Sequence, residues 1–253
     1  QRIYTGGAPV FPDLLRRLRT ALPDAEIHSV FGSTEAEPIA HHYPDEAAAA
    51  LTGKGAGLCA GVPVAEISLR ILRDHWGTPL GPLDSAAFDE LEQTAGQAGE
   101  IVVSGDHVLP GYLGGLGDRE TKIHVDGKVW HRTGDAGWLD AHGRVWLLGR
   151  CSEKLPAFPA ADGLPAEAFR YPFAIECALR ERFPGIRMAA LEWKGERLLV
   201  VGKIVSEEEH GEISGAAGAF GMQRIVNLPQ LPLDRRHNAK IDYPALRKLL
   251  ENR

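Results

Sequence analysis

The stretch Arg132-Thr-Gly-Asp135-Ala-Gly-Trp-Leu-Asp-Ala-His-Gly-Arg-Val-Trp-Leu-Leu-Gly-Arg150 is punctuated unlike the rest of the chain. Gly134-Asp135 and His142-Gly143 read as turns, and Arg144–Leu148, rich in Val, Trp and Leu, reads as a strand. The same texture extends outward. Val64–Leu72, Glu100–Ser104 and Lys128–His131 are strand-like, and Asp126-Gly127 is a further turn signal. Short strands at this spacing predict a β-rich subdomain over residues 61–150. Residues 74–99 are a polar insertion, expected as loop with a short helix over Ser85–Thr94.

Upstream, Ile3–Pro9 reads as a strand end running into a glycine turn. Leu14, Leu15, Leu18 and Leu22 recur at helical spacing after Pro12, with Arg16, Arg17 and Arg19 between them. Ile27–Phe31 is a short apolar strand leading into Gly-Ser-Thr-Glu. Strand, helix, strand and loop over residues 1–60 predict a piece of an α/β sheet, whose ligands lie at the carboxyl ends of the strands. Downstream, residues 173–182 form an amphipathic helix. Arg187–Trp193 and Arg197–Val205 read as a hairpin turned at Lys194-Gly195, Arg224–Asn227 as a strand and Pro244–Asn252 as a closing helix. Residues 151–253 are therefore expected as a small α+β domain, and the fold class as α/β plus α+β.

The 253 residues hold 28 Lys+Arg against 34 Asp+Glu, a net charge of −6. This mild acidity argues against nucleic-acid binding through bulk charge. Hydrophobic residues at 44% and charged residues at 25% exclude wholesale disorder. No apolar run nears the roughly 20 residues that span a bilayer, so no membrane span is expected. Cys59, Cys151 and Cys177, odd in number and widely spaced, suggest neither a disulfide framework nor a zinc site. A reducing, cytoplasmic setting is the default.

Four segments hold residue types suited to a phosphorylated nucleotide. In Thr5-Gly6-Gly7-Ala8-Pro9, paired glycines let a flat ring approach the backbone. In Phe31-Gly32-Ser33-Thr34-Glu35, an aromatic face precedes a hydroxyl for a phosphate oxygen and a carboxylate for Mg²⁺. Asp135 could accept from two vicinal sugar hydroxyls, with the planar fork of Arg150 nearby. Lys240, in the polar stretch Asp234-Arg-Arg-His-Asn-Ala-Lys240-Ile-Asp242, is a point charge for a transferring phosphoryl group. Taken singly, each has a plain structural reading: a turn, a helix cap, a hairpin corner, a solvated lysine.

In this order the segments resemble the AMP-forming acyl- and aminoacyl-adenylate synthetase superfamily, which includes acyl-CoA synthetases and peptide-synthetase adenylation domains. Gly99–Gly105 with Gly111-Tyr112 resembles the strand before its ribose motif, and Thr133–Arg150 resembles the motif itself. Asn238–Asp242 is similar to its carboxyl-terminal lysine motif. Val129-Trp-His-Arg132 and Asp234–Ile241 look like the olefin-pathway branch that closes β-hydroxy acids to β-lactones. The resemblance implies ATP and Mg²⁺ and a carboxylic acid, fatty or β-hydroxy fatty, activated as an acyl adenylate. Gly7, Ala8, Pro9, Phe31, Gly32 and Ser33 would line the adenine and phosphate site, with Thr34 on phosphate and Glu35 on Mg²⁺. Asp135 and Arg150 would hold the ribose. Lys240 would stabilise the adenylation transition state and then swing away as a carboxyl-terminal lid rotates about Ser152.

Three departures qualify the likeness. The glycine-, serine- and threonine-rich phosphate loop that the family carries ahead of its Gly-Gly-Ala-Pro turn is missing. The chain, opening at Gln1, is thus expected to be the carboxyl-terminal portion of a longer ligase and inactive alone. Ser152 stands where the family's hinge is Asp or Lys. Leu155-Pro-Ala-Phe-Pro159, with a turn at Asp162-Gly163, replaces the segment that helps build a thiol tunnel. That puts a thiol acceptor, coenzyme A or carrier-protein pantetheine, in question and favours lactone closure. The alternative is a non-catalytic nucleotide-binding or docking module derived from the family. A dinucleotide-binding dehydrogenase is disfavoured, because Gly55, Gly57 and Gly61 miss the fingerprint spacing and precede a strand. A serine hydrolase would need a Gly-x-Ser-x-Gly elbow.

Overall fold

Ile3 and Ile27 each leave an apolar side chain on one face of a short strand, and the first pairing buries Ile27 and half-buries Ile3. In the computed structural model, which describes residues 1–42, 56–159, 165–235 and 238–252, β1 (Arg2–Thr5) and β2 (Glu26–Ser33) run parallel with Ile3 opposite Ile27. Helix α1 (Pro12–Ala21) makes the crossover. Leu15 and Leu18 close over Ile3, Val10 and Ile27. Pro12 in its first turn lacks an amide that would have had no helical acceptor. The expected strand–helix–strand fragment is present.

The chain divides into two compact units, Gln1–Ser152 and Glu153–Arg253. In the first, the sheet turns antiparallel after β2. Its further strands are β3 (Ala36–His42), β4 (Leu58–Pro63), β5 (Ser68–Leu72), β6 (Gly99–Ser104), β7 (Lys122–Val125), β8 (Lys128–Leu139) and β9 (Val145–Arg150). The order across the sheet is β1-β2-β3-β4-β9-β8-β6-β5, with β7 beside β8. The β3–β4 pairing, Ala40 opposite Pro63, joins strands β1–β3 to the rest of the sheet. Short helices α2 (Ser85–Asp89) and α3 (Asp118–Thr121) lie in the connections.

Strand β6 is buried on both faces, which explains its unbroken apolar run. Ile101 and Val103 join a core with Ile39, Ala60, Ile71 and Val145. Val102 joins a second core with Leu72, Phe88, Ile123 and Trp130. On this second side Arg132 and Glu100 form a buried ion pair. Nη2 and Nε of Arg132 donate to Glu100 Oε2 at 2.7 and 3.0 Å, and Nη1 donates to the Thr78 carbonyl at 2.7 Å.

Several expectations need correction. Gly134-Asp135 is no turn. Strand β8 runs through it, and Gly134 absorbs the irregularity with φ 68°. A side chain there would also meet the Trp76 ring, since its Cβ would lie 2.8 Å from the nearest ring carbon. Val64–Leu72 is not one strand: β5 starts at Ser68, and Ile67 turns back to the Val64 carbonyl at 3.2 Å. The helix expected over Ser85–Thr94 closes at Asp89. Thr34-Glu35 neither enters a loop nor caps a helix; it connects β2 to β3 in a hairpin. The Asp126-Gly127 turn is as expected and links β7 to β8, with φ 45° and 82°. Gly55, the turn at Asp162-Gly163, and Arg236-His237 of the lysine motif lie outside the described residues.

In the second unit β10 (Met188–Trp193) and β11 (Glu196–Val201) form the expected hairpin around Lys194-Gly195, and β12 (Arg224–Asn227) adds in parallel. Helices α4 (Pro172–Arg182), α5 (Glu207–Gly218) and α6 (Tyr243–Glu251) complete it. Leu191, Leu198, Val200 and Leu231 meet Leu246 and Leu250 of α6 in the core. On α4, the Glu176 carboxyl accepts from the Tyr243 hydroxyl at 2.5 Å and the Ala190 amide at 3.1 Å. Burial pushes this carboxyl up to about 7, and those two bonds oppose the rise only in part.

A raised carboxyl stabilises the fold while it is protonated. The Glu176 contribution is full below pH 4.5 and is lost as pH rises through about 7. Urea midpoints should fall across that window, and Glu176→Gln should flatten the fall. An equal slope in the variant would show that another group causes it.

Candidate active site

Gly6 and Gly7 follow the carboxyl end of β1, beside Val30 and Phe31 of β2. A Cβ on Gly6 would lie 2.7 Å from the Val30 carbonyl oxygen, so this backbone passes too close for any side chain. Ala8 and Pro9 continue the turn, half-buried. Phe31, Gly32 and Ser33 end β2, and the register with β3 shifts between Phe31 and Ser33. One side of Phe31 rests on the core that contains Ile39. Thr34 is exposed at the hairpin tip. The structure thus gathers the first two predicted segments at the carboxyl ends of two parallel strands, where α/β sheets place ligands.

Glu35 is the best-held residue of the hairpin. The Tyr112 hydroxyl donates to its Oε1 at 2.9 Å, and the Leu109 amide donates to its backbone carbonyl at 2.7 Å. Burial acts to raise the Glu35 carboxyl, but the Tyr112 bond and backbone donors outweigh it, so the group lies below its ordinary value and is ionised at neutral pH. Behind Tyr112, the ammonium of buried Lys122 lies 5.2 Å from the ring centroid. It donates to the Leu109 carbonyl at 2.5 Å and to His131 Nδ1 at 3.1 Å. Burial, then the Lys122 charge, pushes His131 down to about 4, so its imidazole is neutral.

Asp135 and Arg150 stand directly opposite one another on β8 and β9. Arg150 Nη1 donates to Asp135 Oδ1 at 2.7 Å and to the Thr133 carbonyl at 3.2 Å. The Thr133 hydroxyl donates to the Ile101 carbonyl at 2.8 Å and accepts from the Asp135 amide at 3.0 Å. Asp135 is therefore fixed at its backbone and its carboxylate. The Arg150 guanidinium is held above its usual range first by the Asp135 charge, and the Glu35 carboxylate acts in the same direction.

Within the second unit, Lys240 sits at the base of a tight loop closed by the Leu233–Ile241 bridge. Asp234 Oδ1 accepts from the Lys240 and Ala239 amides at 2.8 and 3.0 Å. The Lys240 side chain is exposed. Ser152 is exposed, and the division between the units falls immediately after it.

A hard divalent cation with nucleotide phosphates fits the first unit. Mg²⁺ takes one or two carboxylates and draws its other ligands from phosphate and water. Glu35 supplies an ionised carboxylate, and among the described residues no three His, Cys, Asp or Glu side chains gather to cage an ion. Residues 1–113 match the family described as AMP-binding enzyme. That match takes in the Gly-Gly-Ala-Pro turn, the Phe31–Glu35 segment and Tyr112.

The relatives extend the likeness beyond residue 113. The olefin beta-lactone synthetase of Xanthomonas campestris pv. campestris is 31% identical over 258 residues, 94% of this chain and 44% of that protein. The olefin beta-lactone synthetase of Stenotrophomonas maltophilia is 29% identical over 262 residues, 95% of this chain and 45% of that protein. The solved amide bond synthetase McbA of Marinactinospora thermotolerans shares the fold, with a TM-score of 0.69 at 20% identity over 98% of this chain and 47% of that one. The chain spans less than half the length of these relatives.

In the sequence Tyr112 belongs only to a strand-end likeness, and His131 only to the mark of one branch. Lys122 carries no signal there. A lysine at the start of a strand reads as solvated, and only the pairing of β7 with β8 turns it inward.

Proposed function

We propose that the chain supplies the nucleotide-binding strands and the lysine-bearing unit of an ATP-dependent, AMP-forming ligase. Its substrate is a fatty or β-hydroxy fatty acid. A carboxylate oxygen attacks the α-phosphorus of ATP, the bond to the β-phosphate breaks, and pyrophosphate leaves. With a β-hydroxy acid, the β-hydroxyl oxygen then attacks the acyl carbon and releases AMP, and its proton passes to solvent as a β-lactone closes. The observation that supports this most directly is the Asp135–Arg150 pair, on whose guanidinium the Glu35 carboxylate also acts, in a chain whose first 113 residues match the AMP-binding enzyme family.

In this reading Gly6–Pro9 and Phe31–Ser33 receive the adenine, and Asp135 with Arg150 receives the ribose hydroxyls. Thr34 contacts phosphate, Glu35 holds Mg²⁺, and the bound cation screens phosphate charge. Lys240 provides charge at the transferring phosphoryl group, and Ser152 is the hinge. The catalysis is positioning and electrostatics. The three cysteines support a reducing, cytoplasmic compartment, and no described helix is long and apolar enough to cross a membrane. The likeness to olefin beta-lactone synthetases over 94–95% of the chain supports lactone closure over thiol transfer.

The test is acid-dependent ATP–pyrophosphate exchange by the full-length natural protein over a panel of fatty and β-hydroxy fatty acids. No exchange with any acid would refute the ligase. Thioester formation with coenzyme A or a carrier-protein pantetheine, and no lactone, would replace the second step. Asp135→Ala should weaken ATP binding, because it removes the ribose acceptor and leaves Arg150 uncompensated. Unchanged nucleotide affinity would remove Asp135 from the site.

A further inference from the structure

A carboxylate at the tip of a two-residue connection would ordinarily sample several rotamers. Glu35 does not have that freedom, because one neighbouring segment grips it twice. Tyr112 holds its side chain and Leu109 holds its backbone carbonyl. That segment is gripped in turn. The Tyr112 amide donates to Asp118 Oδ1 at 2.7 Å, and Lys122 reaches both the Leu109 carbonyl and the face of the Tyr112 ring.

The anchor behind this is costly. Lys122 is 3% exposed, and His131, opposite it on β8, is equally enclosed. Burial acts against the Lys122 ammonium, and the Leu109 carbonyl, the neutral His131 imidazole and the charges of Asp118 and Glu35 offset that only in part. What the ammonium does achieve is to link Leu109, Tyr112 and His131 through one centre, and the first two of these contact Glu35.

We propose that Tyr112, braced by the buried Lys122–His131 pair, is a positioning residue that holds the Glu35 carboxylate ready for a divalent cation. The proposal rests on the ligase reading only for the phosphate groups that accompany that cation. Lys122 is the strut, and His131 Nδ1 is the acceptor that fixes the strut's direction. Supporting partners of this kind orient a ligating carboxylate without touching the metal.

The experiment uses the full-length natural protein with two readouts. One is the Mg²⁺ dependence of acid-dependent pyrophosphate exchange. The other is Mn²⁺ binding in the presence of a non-hydrolysable ATP analogue, followed by electron paramagnetic resonance. Tyr112→Phe keeps the ring and should raise the metal requirement about tenfold. The rate at saturating Mg²⁺ should stay within about twofold of wild type, since the effect is on metal binding and not on the transition state. His131→Phe keeps the ring volume without the acceptor and should act in the same direction. His131→Asn places an amide oxygen near the Nδ1 position and should restore the wild-type requirement.

Wild-type metal affinity in Tyr112→Phe, with normal exchange, would overturn the positioning role and leave the ligase intact. Failure of His131→Asn to improve on His131→Phe would overturn the brace. Absence of exchange in the wild type, with Mn²⁺–nucleotide affinity lowered by Tyr112→Phe, would refute the ligase and uphold the positioning role.

Discussion

Lys240→Ala in the full-length protein is expected to slow acid-dependent pyrophosphate exchange by about 10²–10³-fold, the range for removing a preorganised charge from a transition state. ATP affinity should stay within about twofold, because an interaction made only in the transition state leaves ground-state binding alone. The substitution is unusually clean. Asp234 holds the Lys240 loop through the backbone amides of Ala239 and Lys240, and alanine keeps both. The Leu233–Ile241 bridge also needs no lysine side chain. Loss of exchange would therefore report the ammonium and not a collapsed loop. Exchange equal to wild type would refute the role, whatever the fate of the adenylate afterwards.

The largest effect on stability is expected at Arg132. Its side chain is 1% exposed and that of Glu100 is 0% exposed. Arg132→Leu should destabilise the first unit by about 3–5 kcal/mol, because removing one partner strands a buried charge. Burial already pushes the Glu100 carboxyl upward, and Arg132 pulls it back only in part. Without the guanidinium, Glu100 would take up a proton, and the Thr78 carbonyl would lose its donor. The double variant Glu100→Leu/Arg132→Leu should recover part of the loss, since apolar packing replaces the pair without leaving a charge. Urea unfolding of wild type, single and double variants checks both statements. A single variant as stable as wild type would contradict the first, and a double variant no better than the single would contradict the second.

This result separates two roles that lie three residues apart on β8. Arg132, which in the sequence belongs to the mark of one branch, faces inward and holds the sheet to the Thr78 loop. Asp135 faces Arg150, which donates to its Oδ1 at 2.7 Å.

The elements legible in the sequence are those with one strong local signal. Leucines at helical spacing mark α1, and Asp126-Gly127 and Lys194-Gly195 mark two hairpins. Strand β3 and helix α5 lack such a signal. Strand β3 contains Pro38 and two histidines and has little intrinsic strand preference. It exists because β2 and β4 flank it. Helix α5 contains Gly211, Gly215 and Gly218 and so reads poorly as a helix. Its capping box, Ser206 with Glu209, is nonetheless a signal present in the sequence. In the site, the order of motifs points to Glu35, Asp135 and Arg150. The groups that hold Glu35 come from residues 109–131, and only strand register brings them there.

The pairing of Leu58 in β4 with Leu147 in β9 sets a timetable for synthesis. Emerging from a ribosome, β4 must wait for almost ninety further residues before its second neighbour exists. Until then it presents an open strand edge able to recruit another chain. Closing so long a loop is slow, and sheets dominated by distant pairings fold slowly and expose themselves to aggregation. Chains released before Arg150 would carry that open edge permanently, so truncations in this region should partition to inclusion bodies, whereas ends placed after Ser152 should yield soluble first units.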